Sequence, residues 1–283
     1  MKQEELEMET FDRNFTGERI LVEHRKDSIE DYVIYLMHIA AYKFAEAFTR
    51  GRRVLDCGCG SGYGSARIAM TANSVEAIDV AEDIITRARA EYRRANLNFS
   101  HVMATEPLHF ADGSFDVVLS FQVLEHVTDV DFYLSEVHRV LSPVGILLLA
   151  TPDRSARLFS WQQPWNRWHV KEYSSASLAS TLGNLFPWVD IQHMSGRRDV
   201  IDLELRRYKR MKWCTLPFTL PVFSMAQRIR FLNMLHRLKK RPSTILVKRK
   251  EFEFDESVLQ IGAGLTPSLN LVAIARKARA DRP

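Results

Sequence analysis

Residues 54 to 65, Val-Leu-Asp-Cys-Gly-Cys-Gly-Ser-Gly-Tyr-Gly-Ser, constrain this chain more than any other stretch. Val54 and Leu55 read as the end of a buried parallel strand. Gly58, Gly60, Gly62 and Gly64 read as the turn that leads into a helix. Glycine admits positive φ and lets backbone approach a ligand with no Cβ in between. A strand, a glycine loop and a helix in that order make a binding loop for a nucleoside.

The spacing narrows which nucleoside. A dinucleotide loop, G-x-G-x-x-G, needs a small third residue at 63 if it starts at Gly58, or at 65 if it starts at Gly60. Tyr63 fails the first test and Ser65 the strict form of the second. Asp56, two residues before the first glycine, would repel a pyrophosphate but not the ammonium of a cofactor that carries an amino acid. Farther on, Ser74-Val-Glu-Ala-Ile-Asp79 is a short apolar run ending in an acid. A carboxylate there, at the tip of the second strand, can accept both hydroxyls of a ribose. Asp79 is equally suited to cap the helix expected from Ala81 to Arg94, and the two roles are compatible.

The pattern D-x-G-x-G-x-G resembles motif I of the class I S-adenosylmethionine-dependent methyltransferases. The resemblance implies that Asp56 sits near the methionine end of the cofactor and that Gly58, Gly60 and Gly62 pass beneath it. A second stretch agrees. Phe110-Ala-Asp-Gly-Ser-Phe-Asp-Val-Val-Leu-Ser-Phe-Gln-Val-Leu-Glu-His-Val127 resembles the motif of that family in which a turn, Ser-Phe-Asp and a strand end in Leu-Glu-His. By that likeness Phe121 and Gln122 lie beside the methionine portion, and Glu125 and His126 begin the next helix.

Two positions depart from the family. An Asp or Asn often follows its third strand and contacts adenine, but Ala104 stands there in this chain, so backbone at Thr105 and Glu106 is expected to substitute. Some ubiquinone-pathway O-methyltransferases carry Glu-x-x-Glu-His and hold a divalent ion with it. Here the run is Gln122-Val-Leu-Glu125-His126, and a neutral amide in place of a carboxylate weakens a magnesium site. Metal-independent transfer is expected.

Apolar runs near 53–57, 74–79, 98–102, 115–121 and 145–151 alternate with helices near 63–71, 82–94 and 131–141, after a first helix from Ser28 to about Phe48. Two further runs lie at 188–194 and 269–276. The alternation predicts an α/β protein. The resemblance specifies a Rossmann-like, mostly parallel sheet of seven strands in the order 3-2-1-4-5-7-6, with helices on both faces. The expected organisation is an N-terminal arm, 1–27, then a methyltransferase domain, 28–196 and 268–283, interrupted by a basic, largely helical insertion, 197–267.

That insertion departs from a hairpin's usual short connection. From Arg197 to Lys250 there are sixteen Lys and Arg against three acids, in a chain whose total is only +4. Phe223 to Lys240 reads as an amphipathic helix with Met225, Ile229, Leu232, Leu235 and Leu238 near one stripe and Arg228, Arg230 and Arg237 among its polar positions. Such a helix can pack on its own domain, cover a substrate, contact an anionic membrane or meet nucleic acid.

No apolar run reaches the length of a membrane span, and the acidic N-terminus lacks a secretory h-region. The expected location is the cytoplasm, peripheral to the inner face of the membrane if the insertion meets lipid. Cys57, Cys59 and Cys214 suit neither a disulfide nor a zinc knuckle and are expected to be thiols.

Two more patches resemble a narrower group, bacterial methyltransferases associated with polysaccharide and surface-glycan assembly. They are Phe15-Thr-Gly-Glu-Arg19, with His38 and Tyr42, and Trp165-Asn-Arg-Trp-His-Val-Lys-Glu-Tyr173. The implied reaction is methylation of a sugar or other hydroxylated acceptor with S-adenosylmethionine as cofactor. A hydroxyl must lose its proton, and histidine titrates in the right range. His169, placed among aromatic residues that suit a sugar or ring, is preferred over His126 as the base. An RNA methyltransferase and a non-catalytic S-adenosylmethionine-binding protein remain as alternatives. Nucleic acid is disfavoured because no base-methylation motif follows the fourth strand.

Overall fold

A computed structural model describes residues 28–238 and 254–278. The Phe15 to Arg19 patch, the rest of the N-terminal arm and residues 239–253 of the basic insertion lie outside the described residues. Helix α1 (Ile29–Thr49) begins where the sequence places it, with the Ser28 hydroxyl accepting the Asp31 amide at 3.0 Å and Glu30 and Asp31 in its first turn.

The chain then alternates. β1 (Arg53–Cys57), α2 (Tyr63–Ile68), β2 (Ser74–Asp79), α3 (Glu82–Glu91), β3 (Leu97–His101) and β4 (Phe115–Phe121) come first. They are followed by α4 (Val130–Val140), β5 (Leu141–Pro152), α5 (Arg154–Arg157), α6 (Ser175–Gly183) and β6 (Trp188–Gly196). Last are α7 (Arg198–Cys214), α8 (Met225–Leu238), β7 (Leu259–Gly262) and β8 (Asn270–Arg276).

The sheet has eight strands in the order β3-β2-β1-β4-β5-β8-β6-β7. β1 to β5 run parallel, and β8 lies antiparallel between β5 and β6. The strand expected seventh is therefore β8, and its place inside the order is the expected one. The count of seven is corrected by β7, which pairs antiparallel with the outer edge of β6 from His193↔Gly262 to Gly196↔Leu259. Leu-Gln-Ile-Gly is too short to carry a period of its own, and it falls within the segment read as insertion. Gly196 admits it, because a Cβ there would run into the Val258 carbonyl.

Consecutive strand residues feed opposite faces of the sheet. On one face Val54, Val117, Leu119, Leu148, Ala150, Val272 and Ile274 pack with Leu36, Met37 and Ala45 of α1. On the other, Leu55, Val118, Leu147, Leu149, Leu271 and Ala273 pack with Leu134 and Val137 of α4 and Leu178 and Leu182 of α6. Because both faces are covered, the central strands read as continuous apolar runs instead of alternating ones. Among the described residues no helix is long and apolar enough to cross a membrane.

Candidate active site

β1 is flanked by β2 on one side and β4 on the other, and α/β sheets bind ligands outside the carboxyl ends of their strands where the order reverses in this way. The glycine loop leaves β1 at that point. The amides of Gly58 and Cys59 donate to the Ile78 carbonyl at 2.7 and 3.0 Å, which fastens the loop across the end of β2. Gly58, Gly60 and Gly62 all have positive φ, and Gly62 is the N-cap of α2. A Cβ on Gly58 would strike the Val123 side chain, and one on Gly62 would lie 2.7 Å from the Phe99 ring. Gly60 differs. A Cβ there would meet nothing within 4 Å, so it is the glycine that faces open space.

Asp79 ends β2 beside it. One carboxylate oxygen accepts the Gly60 amide and the other the Ala81 amide, both at 3.0 Å. The helix N-cap itself is Ala81, and no side chain caps it. Asp79 thus ties the glycine loop to the residue that opens α3, with its carboxylate beside Gly60 at the tip of β2.

Asp56 has no exposed surface. Its carboxylate accepts the hydroxyls of Ser65 at 2.6 Å and Tyr42 at 3.0 Å, so it lies under the loop and not on its open side. Burial pushes its pKa up to about 6, and the two hydroxyls hold it from rising further. The sequence could show that Tyr42 is on α1; only the fold shows that Gly64, where a Cβ would collide with the Tyr42 ring, lets that helix reach Asp56. Cys57 and Cys59 are buried free thiols, and burial raises both above the usual thiol range.

At the end of β4, Phe121 is buried and packs edge-on against Tyr42, ring centroids 5.0 Å apart. Gln122 has positive φ, 58°, and its amide donates to the Ala150 carbonyl. A non-glycine residue in that region is strained, and such strain is commonest where a ligand is gripped. Thr105 stands exposed in the turn after β3, in which the Glu106 amide bonds the Met103 carbonyl.

The fold brings the two candidate bases together. Their rings meet edge to face with centroids 4.9 Å apart. His126 Nδ1 lies 3.1 Å from the Trp168 carbonyl, an acceptor only, so that nitrogen carries the proton. His169 Nδ1 lies 2.7 Å from Glu172, whose other contacts are two bonds from the Arg157 guanidinium. Burial alone would raise the Glu172 pKa, but Arg157 and His169 outweigh it and bring it down to about 2. His169 and Glu172 are fully buried, whereas His126 is partly exposed. His126 is therefore the histidine that a ligand can touch, and His169 stands behind it.

Glu125 is buried beside them, with one oxygen accepting the Thr151 hydroxyl at 2.9 Å and its carbonyl accepting the Val170 amide. Glu125, His126 and His169 offer one ligand atom each within 4.8 Å of one another. Two imidazoles and one carboxylate suit zinc or iron better than magnesium.

Sequence reasoning gave Glu172 and Arg157 no role and placed Arg228 among the polar positions of its helix. Instead Arg228 is buried and donates to the carbonyls of Pro164, Asn166 and His169 at 2.6, 3.2 and 2.8 Å, fixing the loop that carries His169. The segment 154–171 has no acid, but nothing in the sequence tied Arg157 to Glu172, fifteen residues away.

Residues 55–149 match the family described as "Methyltransferase domain". A probable S-adenosylmethionine-dependent methyltransferase of Mycolicibacterium smegmatis is 35% identical over 167 residues, 59% of this chain and 62% of that protein. A ubiquinone biosynthesis O-methyltransferase of Sinorhizobium fredii is 36% identical over 109 residues, 38% of this chain and 44% of that one. The chain thus spans about three fifths or less of the curated relatives it matches. The solved structure of a possible histamine N-methyltransferase from Thermotoga maritima superposes with a TM-score of 0.55 at 13% identity, covering 90% of this chain and 99% of that one, a likeness of fold.

The fold, the glycine loop and the match over residues 55–149 are those of a class I methyltransferase domain, and S-adenosylmethionine is the cofactor they support. The residues fit that group. Gly60 is open where a nucleoside must lie, Asp79 stands beside it with hydroxyl-accepting oxygens, and the buried Asp56 sets a negative field under a loop meant for a cationic methionine end.

Proposed function

We propose that this protein transfers a methyl group from S-adenosylmethionine to a hydroxyl of a sugar or other hydroxylated acceptor, with His126 as the base. When bound, the cofactor supplies a methyl activated by positive sulfur, so the protein has only to align a nucleophile and take its proton. The observation that carries this reading is the His126 ring. It stands partly exposed just past β4, and the Trp168 carbonyl holds its Nδ1 and so orients the ring. His169, held by Glu172, buttresses its flank. Trp168, whose carbonyl holds this ring, is half-buried, and its indole carries the Arg167 guanidinium 4.9 Å from its centre. The similarity to an O-methyltransferase supports oxygen as the methylated atom, and the Trp165 to Tyr173 patch supports a glycan.

The test is transfer of labelled methyl to a panel of free sugars, nucleotide sugars and phenols. His126→Ala should lower kcat by about 10²–10⁴-fold while the Kd for S-adenosylmethionine changes less than about twofold. An unchanged kcat removes His126 from the mechanism. In this reading no metal takes part, so dialysis against EDTA should leave the rate unaltered. Loss of activity that zinc restores would instead make Glu125, His126 and His169 ligands.

A further inference from the structure

The basic insertion exposes a face that the methyl-transfer site does not use. On α7 the residues Val200, Ile201, Glu204 and Tyr208 are buried. Arg206, Lys209, Arg210 and Trp213 are exposed and follow the i, i+3, i+4, i+7 spacing that puts them on a single stripe opposite the buried one. Trp213, 57% exposed, closes the stripe.

There it meets a second element. Phe159 lies edge-on to Trp213 at 5.2 Å and stacks on Trp161 at 5.6 Å, with the Lys212 ammonium 4.1 Å above the Phe159 ring. Gln162 and Gln163 fasten this loop to the next turn of the insertion. Gln162 donates to the Lys212 carbonyl and the Thr219 hydroxyl, and Gln163 donates to the carbonyls of Leu220 and Phe223. The turn so pinned presents Val222, 78% exposed, and is followed by Met225 at 42%. The result is an apolar tip of Trp161, Trp213, Val222 and Met225 bordered by the cationic stripe.

Charge decides what this tip fits. From Leu205 to Lys250 the sequence holds fourteen Lys and Arg and no acid, and the facing loop, 154–171, holds no acid either. Tryptophan is the side chain that settles at a membrane-water interface, aliphatic tips enter the acyl boundary, and flanking Lys and Arg meet anionic headgroups. Nucleic acid would use the cations but would find no stacking or hydrogen-bonding role for Val222.

We infer that the Trp161–Trp213–Val222–Met225 tip and the Arg206–Lys209–Arg210 stripe dock the protein on an anionic lipid bilayer. Arg228, on α8 of the same insertion, bonds the carbonyl of His169 and so ties the insertion to the loop that carries this histidine. The docking does not depend on which acceptor is methylated.

The experiment is flotation of the full chain with vesicles of phosphatidylcholine alone or mixed equally with phosphatidylglycerol, at low and high salt. The protein should float with the anionic vesicles at low salt, and partitioning should fall at least about tenfold with neutral vesicles or high salt. Arg206→Glu/Lys209→Glu/Arg210→Glu should reduce partitioning about a hundredfold. Trp213→Ala/Val222→Ser should reduce it about tenfold and remove most of the blue shift of tryptophan fluorescence on binding. All five positions are exposed and outside the site, so circular dichroism and the Kd for S-adenosylmethionine should be those of the parent. A parent protein that stays with the unbound fraction at low salt overturns the inference. So does a charge-reversed variant that floats equally well, or a parent that binds a short RNA duplex more tightly than anionic vesicles and does so without Trp213 and Val222.

Discussion

Asp56 and Glu172 have equally little exposed surface, yet their surroundings move them in opposite directions. Asp56 is bonded by two hydroxyls, so burial prevails and its pKa rises to about 6. Stability contributed by its neutral form is present below the unfolded carboxylate value and lost as pH rises through 6. Glu172 meets a guanidinium and an imidazole, and its pKa falls from 4.5 to about 2. Its contribution is full above about pH 4.5 and lost as pH falls toward 2, on the order of 3 kcal/mol for a shift of that size. Glu172→Gln should cost about 3–5 kcal/mol at pH 7, because it leaves Arg157 buried without its charge partner. The gap between variant and parent should narrow between pH 4.5 and 2.5, which urea unfolding at the two pH values will show. The Trp165 to Tyr173 motif was legible as a patch of functional interest. That Glu172 was its electrostatic centre was not, since Arg157 lies fifteen residues away and on a different element.

At the scale of elements, α8 shows where pattern alone misleads. Its apolar stripe predicts a face of Met225, Ile229, Leu232, Leu235 and Leu238. Leu232 is buried as expected, but Met225 is exposed and Arg228 takes an inward position. An arginine is tolerated there because three loop carbonyls accept from its two terminal nitrogens, which replaces most of the water it gives up. Arg228→Met should keep the helix and remove the latch. Unfolding free energy should fall by about 2–4 kcal/mol. kcat should fall more than the affinity for S-adenosylmethionine changes, because the loop it holds carries His169 and Trp168 and no part of the glycine turn. Steady-state kinetics beside calorimetry will separate the two.

At the scale of the molecule, the candidate cofactor site collects the ends of β1, β2 and β4 and is backed by α1 through Tyr42 and Asp56. Ligand binding there therefore stabilises the three strand ends and the helix packed behind them. S-adenosylmethionine at about 100 times its Kd should add about 2.7 kcal/mol and raise Tm by roughly 5–8 °C, readable by differential scanning calorimetry.

By itself the sequence determined the strand and helix alternation, the glycine loop and the acid that ends β2. All of these are local: a period, a turn that needs positive φ, and a carboxylate at a strand tip are set by neighbours a few residues apart. Tertiary structure decided the rest. It added β7 to the sheet edge, turned Asp56 beneath the loop, set His126 against His169 and drew Arg157 and Arg228 inward. Each of those depends on a partner far away in the chain, and whether a charged side chain is buried is settled only by whether the fold brings it a matching group.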